Sequence, residues 1–533
     1  MEYFLYWCNE CKVPVIETEK GKHFCNLCKN KLKYLSTDLR PVFPQEIAML
    51  ELLLRRNFKN KSIWKSRTKY YVDGAPLQLS NQMFLDADIK KLRKALLNTK
   101  SDYERFNQYI NLFIKANQEH YNEIRDEAVR YIQEQAKIYA NYEKMVSFSG
   151  GKDSTVTSDL VIKSLNDKSL QHLFGDTTLE HKCTYDYIKR LKRNKSLNLH
   201  IAKNTDNNFY DIAKQIGPPS RLSRWCCYMF KTGAVNRLMT KLFDNKKVLT
   251  FYGIRKSESN ARSKYKRTEE SSAHKKITNQ VVCSPIFYWK DIDIWLYIFT
   301  NNLDFNEAYK LGYSRVGCWC CPNASVISEF LAKIYMKKEY ERWHHFLINF
   351  ARAIGKDNPE EYINTGGWKA RQGGTGLEEA KSVKIVQQNC TVQENGKIYD
   401  LSKPINDRFF QLFIPFGKVI EGDGTIGEKL VLDIKSLLPI ISLQKISDYK
   451  IKIVTLNVKY HKSLHQNIFH QIIKFNACKQ CLKCEGVCMH NAIHLDKDGY
   501  SIDEKQCKHC QLCVSSKYIP GGCMMCRYLR TRR

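Results

Sequence analysis

Residues 145–161 read MVSFSGGKDSTVTSDLV, and the way this stretch folds decides what the middle of the chain is. An apolar run ends at Phe148, two glycines follow, and a helix-compatible segment begins at Lys152. Strand, glycine turn and helix together aim backbone N–H groups and the positive end of a helix dipole at an anion. Gly150 and Gly151 let the backbone approach oxygens closely. Ser149 and Ser154 add hydroxyl donors, and Lys152, followed by Asp153, adds a full charge. A plain strand-to-helix turn has the same six residues available to it, because short glycine motifs recur by chance. The surrounding chain has to decide.

Around the loop, strand-like runs alternate with helical ones. KMVSFS (144–149), LQHLFGDT (170–177), LNLHIAK (197–203) and VLTFYGIR (248–255) follow a long helical stretch, HYNEIRDEAVRYIQEQAKIYANYEK (120–144). This alternation predicts an α/β domain with a parallel sheet and helices on both faces. The whole chain divides by pattern into residues 1–36, 37–100, 101–375, 376–474 and 475–533. In 37–100, YYVDGAPLQL offers an Asp73-Gly74 turn between strand-like runs, with no chemistry visible. Residues 376–474 read as a connector or a small β-rich domain.

Lys and Arg outnumber Asp and Glu by 86 to 55 over 533 residues, a net charge of +31. That balance favours anionic partners such as nucleotides or nucleic acid; a generally basic proteome is the bland alternative. Neither a secretory signal segment nor an apolar run of membrane-spanning length is present, so a cytoplasmic chain without a membrane partner is expected. In that compartment, 21 cysteines falling mostly in C-x2-C pairs read as metal and iron–sulfur ligation rather than disulfides.

Cys8, Cys11, Cys25 and Cys28 have the spacing of two zinc knuckles, the donors of a tetrahedral zinc ribbon in residues 1–36. A rubredoxin-like iron site would use the same ligands, and unliganded cysteines are the third possibility. Near the other end, CKQCLKCEGVC is C-x2-C-x2-C-x3-C, followed by CKHCQLC and CMMC. This resembles the bacterial two-cluster ferredoxins, whose fourth cysteine serves the other cluster. The resemblance implies one [4Fe–4S] cluster on Cys478, Cys481 and Cys484 and a second on Cys507, Cys510 and Cys513 with Cys488. Met489 stands where those ferredoxins carry proline, and Cys523 or Cys526 has to supply the last ligand of the first cluster. A second zinc module is the alternative.

Further motifs follow the loop in order. FGDTTLEH supplies Asp176, Thr177 and Glu180, and PPSRLSRWCCYMFK supplies Arg221, Arg224, Cys226, Cys227 and Lys231. YGIRKSESNARSKY supplies Gly253, Arg255, Glu258, Ser259 and Arg262, and SPIFYWKDIDIWLYI and YKLGYSRVGCWCCP complete the series. With these motifs, residues 145–375 resemble the phosphoadenosine phosphosulfate (PAPS) reductase branch of the PP-loop superfamily. The resemblance implies an adenine nucleotide site built from Ser149, Gly150, Gly151, Lys152, Asp153, Ser154, Asp176, Glu180, Gly253, Glu258 and Arg262. Lys152, Asp153, Arg224, Lys231 and Arg255 are its candidate catalytic residues. Arg224, Lys231, Arg255 and Arg262 have the chemistry to grip phosphate or sulfate, surface cations being the alternative. Cys226 and Cys227 with Cys318 and Cys321 resemble the tandem pairs with which adenylylsulfate reductases hold a [4Fe–4S] cluster; buried apolar cysteines are the alternative. Cys320 is an extra thiol there, and Cys183, Cys283 and Cys390 read as small buried hydrophobes.

Within this branch, an intact S-G-G-K-D-S loop implies a departing pyrophosphate, hence ATP and Mg2+. Sulfonucleotide reductases bind a nucleotide without that pyrophosphate and carry a late E-C-G-[LI]-H tail, which this chain lacks near GGWKARQGGTGLEEA. The expected function is therefore adenylation of an acceptor, tRNA or DNA, and its attack by a sulfur species from a donor such as a cysteine desulfurase. Electrons would come from the ferredoxin-like segment. An adenylylsulfate or PAPS reductase that releases sulfite, with the fused ferredoxin as donor, is the rival reading. A non-enzymatic, redox-sensing nucleic-acid binder is the third.

Overall fold

The computed structural model describes residues 3–99, 102–221, 223–244, 246–260, 262–270, 280–370, 386–424, 427–456, 461–478, 484–488, 490–496, 499–514, 523 and 525–526. Among these, five sheets organise the chain. β1 (Tyr3–Cys8), β2 (Val13–Thr18) and β3 (Lys33–Ser36) pair antiparallel in the order β2-β1-β3. β4 (Arg40–Pro41), β5 (Ile63–Ser66), β6 (Lys69–Val72) and β7 (Ala75–Gln78) form an antiparallel meander. Asp73 (φ 48°) and Gly74 (φ 81°) make the two-residue turn from β6 to β7, with the left-handed pair that matches strand twist.

The central sheet is built from β8 (Glu143–Phe148), β9 (Gln171–Asp176), β10 (Asn198–Lys203), β11 (Val248–Tyr252), β12 (Thr268–Glu270) and β13 (Gln280–Cys283). Its order is β10-β9-β8-β11-β13-β12, with every pairing parallel except β12 with β13. Met145, Val146 and Phe148 of β8 are buried, as befits a central strand covered on both faces. The chain runs outward from β8 through β9 to β10, then returns to place β11 on the other side of β8. Strand order therefore reverses at β8 and β11, and the crevice at their C-terminal ends is where open α/β sheets bind ligands. That reversal positions the site.

Beyond the α/β region, β14 (Gln387–Asn389), β15 (Gly396–Asp400), β16 (Lys418–Glu421), β17 (Glu428–Leu432), β18 (Pro439–Ser447) and β19 (Lys450–Thr455) form a six-stranded antiparallel sheet. A helix, His461–Ala477, leads to the hairpin of β20 (Ile493–Asp496) and β21 (Gly499–Ile502). No helix among the described residues is long and apolar enough to cross a membrane.

Two cores tie these parts together. One joins Leu5, Cys8 and Val15 of the N-terminal sheet to Phe113 and Ile132 of the preceding helices and to Val146 and Trp295. Asn117, buried between helices, caps that joint by accepting from Ile16 N (2.7 Å) and donating to Pro14 O (3.0 Å). The other joins Phe209 and Trp225 of the α/β domain to the six-stranded sheet and to Cys484, Cys488, Cys513 and Cys523. Trp225, fully buried and stacked on Phe209, contributes on the order of 3 kcal/mol of apolar burial. It also fixes the backbone that carries Cys226 and Cys227.

Candidate functional site

At the C-terminal end of β8 the chain turns through Gly150, whose φ of 70° favours a residue without a Cβ. The helix Lys152–Leu165 starts at once, with Gly151 as its N-cap. The turn is stapled internally: Ser149 N donates to Ser154 Oγ (3.2 Å), and Ser154 Oγ donates to Gly151 O (2.8 Å). Two residues from a later segment clamp it from outside. Asn306 donates to Gly150 O (3.1 Å), and Tyr309 Oη accepts from Lys152 N (3.0 Å). From β11, Gly253 lies so close that a Cβ there would sit 2.7 Å from the Asp153 carbonyl carbon and 2.9 Å from Ser154 N. The loop is thus built from three chain segments.

By sequence Lys152 adds a full charge to the loop, and in the structure that charge is already paired. Its side chain is 3% exposed, and Nζ pairs with Asp153 Oδ2 (3.2 Å) and Asp291 Oδ1 (3.0 Å). Arg255, also buried, bridges the same two carboxylates, Nε to Asp153 (2.5 Å) and Nη2 to Asp291 (2.9 Å). Burial opposes charge on Lys152, but Asp153 and Asp291 outweigh it and hold the ammonium above the ordinary lysine range. Burial likewise opposes charge on Asp153, while Arg255 and Lys152 keep its carboxyl well below the usual carboxylate range. A third carboxylate reaches the cluster from residues 37–100, where the sequence showed no chemistry. Asp38 accepts from Asp291 N (3.0 Å) and Ile292 N (3.2 Å), capping the helix Asp291–Thr300. Burial and then the charge of Asp291 push its pKa up to about 7. Lys152 and Arg255 are almost fully buried while Asp153 and Asp291 keep 17% and 20% side-chain exposure, so the two cations are held with reduced solvent screening.

The four cations expected to grip one anion fall into two sets. Arg255 and Arg262 belong to the loop: Arg262 pairs with Glu258, and Glu258 also accepts from Arg255 N (3.3 Å). Arg224 and Lys231 stand beside the cysteines. Burial raises the pKa of Glu180 and Lys231 draws it back, and Arg224 acts on Cys321. Arg315 connects the sets. Partial burial and then the like charge of Arg315 lower the pKa of Arg262, and Arg315 also acts on Cys321. A run of like charges from loop to cysteines suits an extended anion.

Asp176, at the end of β9, accepts from Thr178 N (2.8 Å) and Tyr185 Oη (2.9 Å). Glu180 is engaged with the segment that carries Cys318. It accepts from Thr177 Oγ1 (2.7 Å), which lies 3.3 Å from Cys318 Sγ, and Trp319 N donates to Leu179 O (3.0 Å). This pins Cys318 against the β9 end. Cys226 is hydrogen-bonded to Cys227 and feels the charges of Cys318 and Cys320, and Cys321 feels Cys227. The five cysteines thus share one neighbourhood. The turn after Cys227, Tyr228–Thr232, is π-helical, a bulge that recurs at functional sites.

Elsewhere, Cys8, Cys11, Cys25 and Cys28 place their sulfurs within 4.8 Å of one another, with Cys8–Cys28 at 3.4 Å and Cys11–Cys25 at 3.8 Å. Four sulfurs ~2.3 Å from a tetrahedral zinc lie about 3.8 Å apart, so this donor set fits zinc. Near the C-terminus, Cys488, Cys507, Cys510 and Cys513 line one cavity. Cys523 is hydrogen-bonded to both Cys484 and Cys526, so the two candidates for a last ligand adjoin each other beside Cys484. Cys478 packs against that core, while Cys481 and Met489 lie outside the described residues. Soft donors in two such sets fit iron–sulfur clusters chemically.

Sequence reasoning missed Asp38, Asp291, Asn306, Tyr309 and Arg315. Asp291 begins the acidic helix start KDID, and Tyr309 and Arg315 lie in YKLGYSRVG, so both motifs were in view without these residues being singled out. Asp38 left no local signal.

A mostly parallel sheet, a glycine loop at its switch point and arginines beyond it define an α/β domain with a candidate anion site. The phosphoadenosine phosphosulfate reductase domain model matches residues 143–324. Adenosine 5'-phosphosulfate reductase 1 of Bacillus subtilis is 30% identical over 198 residues, covering 36% of this chain and 80% of that enzyme. The Oceanobacillus iheyensis adenosine 5'-phosphosulfate reductase is 31% identical over 176 residues, covering 32% of this chain and 68% of that enzyme. An uncharacterized protein of Methanocaldococcus jannaschii is 30% identical over 270 residues, half of this chain, which spans 54% of that relative's length. A phosphoadenylyl-sulfate reductase structure from Candida auris overlaps with a TM-score of 0.29 at 18% identity, over 46% of this chain and 98% of that one. The chain belongs to the phosphoadenosine phosphosulfate reductase family.

Proposed function

We propose that this chain is an ATP-consuming sulfur-transfer enzyme that forms AMP and pyrophosphate. The observation that carries the reading is Lys152, retained at the helix start and held as a buried ammonium between Asp153 and Asp291. Phosphate oxygens entering the loop compete with those carboxylates for the ammonium. A pyrophosphate leaving group gains most from that exchange, because negative charge grows on it as the bond to the α-phosphorus breaks. Asp153 and Asp291 are carboxylates able to hold the Mg2+ that accompanies ATP. Arg262, Arg315 and Arg224 then lead from the loop toward the cysteines and orient the anion along that path.

The reaction has three steps. An acceptor oxygen attacks the α-phosphorus, giving an acceptor–AMP ester and pyrophosphate. The terminal sulfur of a cysteine persulfide, supplied by a desulfurase-type donor, displaces AMP. Two electrons from a low-potential external reductant, with the accompanying protons, then cleave the S–S bond, leaving sulfur on the acceptor and a thiol on the donor. Iron–sulfur clusters, when bound, move electrons one at a time. Cys226, Cys227, Cys318 and Cys321 would hold one near the cationic path. Cys488, Cys507, Cys510 and Cys513 would hold another, and Cys478, Cys481 and Cys484 with Cys523 or Cys526 a third. Zinc on Cys8, Cys11, Cys25 and Cys28 would lock the N-terminal sheet. A net charge of +31 supports a nucleic-acid acceptor, tRNA or DNA.

The relatives named as adenosine 5'-phosphosulfate reductases support a second reading, in which the same cationic path binds a sulfonucleotide and sulfite is released. One anaerobic experiment separates the readings. Reconstituted protein is incubated with ATP, Mg2+ and tRNA or DNA fractions, and in parallel with adenylylsulfate and dithionite. AMP plus pyrophosphate in the first arm, reduced at least ~10²-fold by Lys152→Met, is the expected result. Sulfite only in the second arm establishes the reductase. Nucleic-acid binding without turnover in either arm leaves a redox-sensing binder.

A further inference from the structure

Lys474 sits in the last turn of the helix His461–Ala477 and is 1% exposed. Its ammonium donates to Cys513 O (2.5 Å) and lies 5.1 Å from the centre of the Tyr500 ring. Among the described residues it has no carboxylate partner. One turn earlier on the same helix, His470 O accepts from Cys526 Sγ (3.3 Å), so this helix end touches Cys513 and Cys526, and Cys484 and Cys523 also act on the ammonium. These come from both C-terminal cysteine sets, since Cys513 belongs with Cys488, Cys507 and Cys510, and Cys484 belongs with Cys523 and Cys526. Tyr500, fully enclosed, feels three cysteines of the same region, Cys513, Cys484 and Cys488.

A buried ammonium without a counter-charge is strongly disfavoured, and native proteins pair such groups or neutralise them. Neutral thiols and a single carbonyl do not compensate a full charge. Metal-bound thiolates do, because each ligand sulfur carries negative charge and reduction adds more.

We propose that Lys474 is the shared counter-ion of the two C-terminal thiolate centres and makes them easier to reduce. This inference rests on the reading that those cysteines hold iron–sulfur clusters, and it assigns Lys474 a positioning and tuning role. One ammonium beside both sets stabilises the reduced, more negative form of each. Placed there, the charge favours electrons resting in this part of the chain before they are passed on.

The test uses the full-length, anaerobically reconstituted chain, with iron counts and a dithionite titration of midpoint potentials followed by electron paramagnetic resonance. Lys474→Gln retains a hydrogen-bond donor for Cys513 O and removes the charge, and Lys474→Arg retains both. The expected result is an unchanged iron count with midpoint potentials shifted to lower values in Lys474→Gln, and near wild-type potentials in Lys474→Arg. Loss of C-terminal iron in Lys474→Gln but not in Lys474→Arg also supports the counter-ion role. Equal iron and equal potentials in Lys474→Gln and wild type overturn it, as does equal loss of iron in both variants. A wild-type chain that loads iron only at the central cysteines overturns the underlying cluster reading and this inference with it.

Discussion

Gly253→Ala tests whether β11 sets the position of the phosphate loop. A Cβ at residue 253 would lie 2.7 Å from the Asp153 carbonyl carbon, 2.8 Å from its oxygen and 2.9 Å from Ser154 N. All three are backbone atoms, so no side chain can swing aside. The closest approach is about 0.7 Å short of the 3.4 Å at which ordinary contacts begin. The loop, clamped by Asn306 and Tyr309 on its far side, must give way by most of that distance. Overpacking of this kind costs about 1–3 kcal/mol, a modest fall in melting temperature for a chain of 533 residues. The functional loss should be larger in proportion, because displacement of reacting groups by ~1 Å costs on the order of 10²-fold in rate. We expect ATP affinity and AMP formation to fall roughly ten- to a hundredfold while the circular dichroism spectrum is kept. Isothermal titration and pyrophosphate release measure the two. Wild-type nucleotide binding in Gly253→Ala would show that the contact does not position the loop, and the assignment of the site to the β8–β11 crevice would fall with it.

Two other perturbations follow from the same geometry. Glu46 is wholly buried and held by Arg40 (2.7 and 2.8 Å), Lys65 (3.2 Å) and Tyr70 (2.8 Å). Burial alone would raise its pKa, but Arg40 and Lys65 bring it down to about 2. A depressed folded-state pKa gives stability that is present above the unfolded value and lost as pH falls toward 2. Glu46→Gln should therefore cost about 3–5 kcal/mol at neutral pH in denaturant unfolding, with the gap to wild type narrowing from pH 5 to pH 3; a constant gap would contradict the ion-pair account. If Cys8, Cys11, Cys25 and Cys28 hold zinc as proposed, plasma emission should find one zinc per wild-type chain and none in Cys25→Ser, with a looser joint at Asn117 read as faster proteolysis of the N-terminal sheet. Unaltered zinc in Cys25→Ser would remove that site from the assignment.

The central strands were legible because fully buried parallel strands are short apolar runs, and KMVSFS, LQHLFGDT and VLTFYGIR have no competing helical period. The cysteine groups were legible because ligands on one knuckle are close in sequence. Asp38 was not legible: it is 253 residues from Asp291, and only packing of the 37–100 segment onto the sheet brings it there.

By itself, then, the sequence determined the class of the central domain, the loop, and which cysteines are paired within each knuckle. These are local properties, fixed by periodicity and by spacings of a few residues. Tertiary structure alone decided that Lys152 and Arg255 are paired with carboxylates, that Arg224 and Lys231 lie near the cysteines, and that Lys474 donates to the backbone of Cys513. The physical reason is that charge pairing in a dry interior depends on distance through space. Lys152 and Asp291 are separated by 139 positions in the chain and by 3.0 Å in the fold.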